Sequence, residues 1–314
     1  MNNKKLIGVG LLSVLGLIGV VLLVYAAVIN CPGGGCSAGS PSIPTTSDII
    51  NGSSAADTIV ADDADGDGTC DATGGNDFVR GNAGDDTIYG CLGNDTVYGG
   101  AGNDTISEDP NVDPNSGGND RLFGDAGADQ IDGGAGNDFI DGGAGDDVVR
   151  GGAGNDVVRG GAGDDKVGGG AGNDRLLGDA GDDIIGDDDN SSTCDSGEEA
   201  GNDIIDGGPG DDFICGGDGN DTIRGGLGDD TIEDGTGSDV IYGDAGNDTI
   251  NLSDESGVRD LVFAGPGDDT INVDNTDGDN DAGPDIIDCG PGNDTVNLNG
   301  NVGITLINCE TVNP

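Results

Sequence analysis

An aspartate returns every nine residues through most of this 314-residue chain. One run takes in Asp77, Asp86, Asp95 and Asp104. A second holds Asp120, Asp129, Asp138, Asp147, Asp156, Asp165, Asp174 and Asp183, and a third Asp203, Asp212, Asp221, Asp230, Asp239 and Asp248. Two short runs, Asp260 with Asp269 and Asp285 with Asp294, bring the set to 22. Inserts of 7, 11, 3 and 7 residues separate the runs. Paired carboxylates serve general acid–base catalysis, but a catalytic pair is unique and has no reason to recur along a whole chain. Carboxylates in register suit a hard cation instead. Calcium accepts six to eight oxygens in adaptable geometry, whereas magnesium demands a tight octahedron and keeps its water. Wherever residue n stacks on residue n + 18, like charges align in a column that repels itself without a divalent cation. The short side chain of Asp stays close to its turn, which accounts for Glu being only six of the 62 acids.

The elements that hold these aspartates follow from the neighbouring residues. A large apolar residue stands two positions after each Asp, as in Val79, Ile88, Val97, Ile106, Leu122, Ile131 and Ile140. One such residue per repeat cannot bury its own face, so successive repeats must stack. The segment after Asp is often β-branched and predicts a strand of about three residues. The segment before it is rich in Gly, which reaches positive φ and permits close backbone approach. Turn and strand alternating every nine residues predict coils of two strands and two turns per 18 residues, paired as parallel ladders. The expected fold class is all-β, a parallel β-roll with an N-terminal apolar helix.

Typical copies are GGAGNDFID at residues 133–141, GGAGDDVVR at 142–150 and GGAGNDVVR at 151–159. The pattern is GGxGxDxUx, with U large and apolar. Over about residues 75–298 the sequence resembles the calcium-binding nonapeptide repeats of RTX proteins. The resemblance implies a β-roll with U inside and Ca²⁺ as the bound partner of the 22 aspartates. Pairs within uninterrupted runs give 12 sites, and stacking across every insert gives 20. Twelve to twenty Ca²⁺ would cancel roughly half or more of the net charge of −52. Second acids such as Asp85 and Asp146 read as solvated side chains. Asp57-Thr58-Ile59 reads as a degenerate leading copy.

Outside the register, Asp63, Asp65 and Asp67 form a DxDxDG stretch similar to the start of EF-hand and thrombospondin type 3 loops, an additional candidate metal site. The bidentate Glu of a full EF-hand would fall on Gly74, which excludes that motif. Residues 277–281 carry a weaker version. The inserts at 107–117 and 186–200 are expected to bulge from one edge.

Lys4 and Lys5 precede an apolar run at residues 6–29, long enough as a helix to cross a bilayer. It reads either as an uncleaved anchor or as a signal cleaved after Ala26; both place residues 31–314 outside the cytoplasm. Eight cysteines agree with an oxidising compartment, and nearest-neighbour pairing is expected: Cys31–Cys36, Cys70–Cys91, Cys194–Cys215 and Cys289–Cys309. The expected organisation is a signal or anchor at 1–30, a linker at 31–50, a leading coil and acidic loop at 51–74, the roll at 75–298 and a C-terminal cap at 299–314.

His is absent, aromatics make up 3%, and Lys and Arg number 10. Nucleic acid is excluded as a partner, because binding it relies on basic residues that neutralise phosphate. No HExxH occurs, and neither flank is large enough for a catalytic domain, so no enzyme is expected. An accessory module of an extracellular enzyme or toxin-like system is the alternative. Ice binding, which needs rows of Thr and Asn, finds Ala before the second Gly in most repeats. The expected role is a secreted or surface-anchored, structural or adhesive protein that contacts cell-surface components and meets a membrane only through its N-terminus.

Overall fold

The computed structural model describes residues 28–30, 36–37, 49–61, 75–107, 117–186, 194, 201–253, 258–273, 285–300 and 303–314. Most of the apolar N-terminal segment, the Asp63, Asp65 and Asp67 loop, the 277–281 stretch and nearly all of both large inserts lie outside these residues. Among the described residues no helix is long and apolar enough to cross a membrane.

The described strands form two sheets of 14, and every pairing within them is parallel. Consecutive strands alternate between the sheets, so each coil contributes one strand to each. The first sheet runs from Val28–Asn30 to Thr305–Ile307, and the second from Cys36–Ser37 to Thr311–Asn313. The β-roll expected from the nonapeptide period is the fold observed. Register follows the 18-residue coil: Ile140 lies beside Val158 in one sheet and Val149 beside Val167 in the other. Inserts do not break it, since Leu176 pairs with Ile205 and Ile241 with Val262.

Many strands are six residues long rather than three, as in Val148–Ala153. The extra length comes from the turn. Gly152 and Ala153 pair with Gly170 and Ala171 of the next coil, so the ladder continues past the apolar residue. Backbone groups inside a stacked turn have no other partner, and continuing the ladder satisfies them.

Alternation along each strand points Asp, the apolar U residue and the first Gly inward. The U residues form one core; Ile88, Ile140, Val158, Ile223 and Ile271 are all fully buried. Each contributes about 1.5–3 kcal/mol relative to exposure. These two facing rows of side chains, one from each sheet, set the spacing of the sheets and bring the aspartates to the inner rim of each turn. Two disulfides fasten the later coils: Cys194–Cys215, and Cys289–Cys309 next to the last strands. Both follow the expected pairing. Cys91 is disulfide-bonded too, and no described cysteine is free.

Candidate metal centre

The 22 predicted aspartates gather into two continuous columns, one on each edge of the roll. The first runs from Asp77 to Asp285 through alternate members of the set. In it, the backbone N–H of each Asp donates to Oδ1 of the Asp one coil further on, at 2.7–2.9 Å. The second column links Asp86 to Asp294 in the same way, at 2.7–3.0 Å. Neither column is interrupted at an insert: Asp95 reaches Asp120, Asp183 reaches Asp212, and Asp248 reaches Asp269. The 22 aspartates therefore present 20 inter-coil gaps, because coils stack across every insert.

Three acids outside the predicted set join this arrangement. Asp57 donates its N–H to Asp86 Oδ1 at 2.7 Å and heads the second column. Glu310 accepts the N–H of Asp294 at 3.2 Å and closes it. The Asp-Thr-Ile triplet had marked Asp57, but nothing in the spacing marked Glu310, whose coil has lost its glycines. The third, Asp234, occupies the position of a first Gly.

The local sequence explains how each carboxylate is aimed. A Cβ on Gly160 would stand 2.5 Å from Asp165 Oδ2, so the first Gly leaves room for the carboxylate of its own repeat. The second glycine adopts positive φ, +121° at Gly161. Cys91 replaces it once, at φ +70°; elsewhere the substitute is Asn or Asp, as at Asn82, Asp125, Asp179 and Asp244. These tolerate the left-handed region best after Gly.

The column aspartates are at most 5% exposed. One oxygen of each carboxylate is used by the neighbouring coil. The other, Oδ2, has no hydrogen-bond partner in Asp86, Asp104, Asp129, Asp147, Asp156, Asp165, Asp174, Asp183, Asp212, Asp221, Asp230, Asp248, Asp269 and Asp294. A buried acceptor left without a donor costs about 1–3 kcal/mol, and more when charged. Such costs in series call for a counter-charge. Burial is the main reason the carboxyls of Asp147, Asp165, Asp183, Asp221, Asp230 and Asp248 rise to about 7. The N–H of the neighbouring coil pulls them down, and adjacent aspartates push them further up. Burial likewise raises Asp86, Asp104, Asp156, Asp203, Asp212 and Asp269 to about 6. Oxygen-only donors, anionic and densely placed along Gly-rich turns, fit a hard divalent cation of the calcium type.

Among the described residues, the one before each column Asp remains exposed yet is not merely solvated. On the first edge it is Asn as far as Asn220: Asn94, Asn119 and Asn137 each donate a backbone N–H to the Asn side chain one coil earlier. On the second edge it is often Asp; the side chains of Asp146, Asp164 and Asp182 accept N–H bonds from the following coil at 3.0–3.2 Å. These side chains zip the outer rim of the turns.

A parallel solenoid with buried aspartate columns on both edges belongs to the class of calcium-binding β-rolls. The chain is a member of the RTX calcium-binding nonapeptide repeat family, whose four-copy pattern matches residues 71–106, 115–149, 150–185, 199–223 and 224–255, more than half of the sequence. No curated protein gives a match to the chain.

Proposed function

We propose that this protein is a calcium-loaded, non-catalytic β-roll, exported from the cell and serving as a structural or adhesive module at or beyond the cell surface. The 22 column aspartates are its ligands, and the 20 gaps between them take on the order of one Ca²⁺ each. The observation that carries this reading is the row of buried Oδ2 atoms without hydrogen-bond partners, which takes in every member of the second column from Asp86 to Asp294 and recurs in the first at Asp156, Asp174 and Asp221. When bound, the ion supplies the positive charge those oxygens lack. Asp Oδ1 holds the adjacent coil through its N–H, and the Gly-rich turn keeps the carboxylate at the gap.

Folding and ion binding are then one process, because the unfolded chain has no preformed site. Export is supported by Lys4 and Lys5 ahead of the apolar run and by disulfides, which persist in oxidising compartments. The absence of His and the repetition of one carboxylate environment support a scaffold over a catalyst. Circular dichroism of the purified chain in chelator and in millimolar calcium tests the proposal. The expected result is little β-structure without calcium and a cooperative gain with it; an unchanged β-signal after complete chelation overturns it.

A further inference from the structure

One coil departs from the pattern in a way that creates a different site. In most repeats the first turn position is Gly, because a side chain there would meet the Asp five residues later. At residues 234–239 the sequence reads DGTGSD, and Asp234 takes that place. Its carboxylate points inward, 2% exposed, toward column members Asp239 and Asp260, themselves 1% and 5% exposed. Ligand oxygens of the three residues all lie within 4.8 Å of one another. Asp234 Oδ1 accepts the N–H of Ser253 at 2.8 Å, while Oδ2 is buried without a hydrogen-bond partner. The Ser253 hydroxyl donates to the Gly235 carbonyl and holds the start of the following insert against this turn.

We propose that Asp234, Asp239 and Asp260 form a three-carboxylate calcium site, distinct in composition from the two-carboxylate gaps of the columns and filled before them. The inference rests on the calcium reading of the columns and adds a ligand that the nonapeptide pattern does not contain. Three anionic donors in one gap raise the local charge from −2 to −3. In oxygen-ligand sites, ligand charge is one of the main settings of calcium affinity. Acceptance of the Ser253 N–H fixes the Asp234 carboxylate in the folded turn, aimed at the gap between Asp239 and Asp260. Neighbouring first positions carry apolar residues instead, Leu252 and Ala264, and among the described residues no second gap gains the same third carboxylate.

The test uses the full chain and calcium as the probe. Wild type, Asp234→Asn and Asp234→Gly are titrated against a chromophoric chelator, and the first equivalent of calcium bound is read separately from the remainder. Asn keeps the acceptor for Ser253, and Gly restores the repeat consensus, so both variants retain their β-signal in saturating calcium. The expected result is a first equivalent about tenfold weaker in both variants, with later equivalents unchanged. Superimposable first-equivalent curves for wild type and both variants overturn the three-carboxylate site while leaving the columns standing. Absence of calcium binding by wild type overturns the columns themselves. Equal weakening of every equivalent overturns the separate site in favour of a general structural role for Asp234.

Discussion

Replacing Asp165 with Asn separates the charge of a column carboxylate from its shape. Asp165 is 1% exposed; its Oδ1 accepts the Asp147 N–H at 2.8 Å, and its own N–H donates to Asp183 Oδ1 at 2.8 Å. Asn preserves both bonds. It removes the charge on an oxygen that has no hydrogen-bond partner and whose carboxyl burial, with Asp183, Asp147 and Asp146 nearby, raises to about 7. Without metal the variant is therefore more stable than wild type, by about 1 kcal/mol, the excess cost of an unpartnered buried charge over an unpartnered neutral group. With calcium the sign reverses. Asp165 faces two gaps, and loss of an anionic ligand at about tenfold per gap removes about 3 kcal/mol of binding free energy. The assay is a pair of thermal melts, in metal-free buffer with an osmolyte that populates the roll and in saturating calcium, with calorimetry for stoichiometry. Asp146→Asn is the control: exposed, outside the column, and expected to shift either melt by less than about 0.5 kcal/mol. Equal destabilisation of Asp165→Asn in both buffers would refute the reasoning, because it would reduce the carboxylate to a structural hydrogen-bond acceptor.

Acid should replace calcium in part. Carboxyls raised from 3.8 to about 7 in the folded chain take up protons on folding. Their contribution to the metal-free fold is thus complete below the unfolded value and lost as pH rises through about 7. Metal-free melts at pH 5 and pH 8 should show the more stable roll at pH 5, where calcium affinity should be lower because protons occupy the same carboxylates; a flat profile would count against this. Gly154→Ala should cost about 3 kcal/mol or more in calcium, since its φ is +155° and a Cβ would overlap the Gly136 carbonyl, whereas exposed Ala153→Ser should be nearly silent by the same melt. Ile223→Ala, at a fully buried core position, should lower stability by about 2–5 kcal/mol by denaturant titration in saturating calcium.

Much of this arrangement was legible in the spacing of Asp and the U residue, because an 18-residue coil forces both into line. The inward alternation of Asp165, Val167 and Gly169 follows from strand geometry alone. Strand length was less legible. Gly and Ala carry weak strand preference, so nothing local announced that Val148–Ala153 would run on through its turn. Continuity across inserts could not be read either, since residues 187–200 say nothing about whether Asp183 meets Asp212; the unbroken row of U residues decides it by burying Ile185 against Ile214. Asp234 escaped notice because an extra acid in an acidic chain carries no signal by itself. Its signal is positional, an Asp where the repeat requires the smallest residue. Glu310 lies in a tail without the motif and is recognised only through the coil it caps.

The most direct measurement is the anomalous scattering of calcium in crystals of the protein grown with the metal. The account predicts peaks in two rows, one along each edge of the roll, each peak between column aspartates of successive coils. Density showing ordered coils with no metal between Asp147, Asp165 and Asp183 would contradict it.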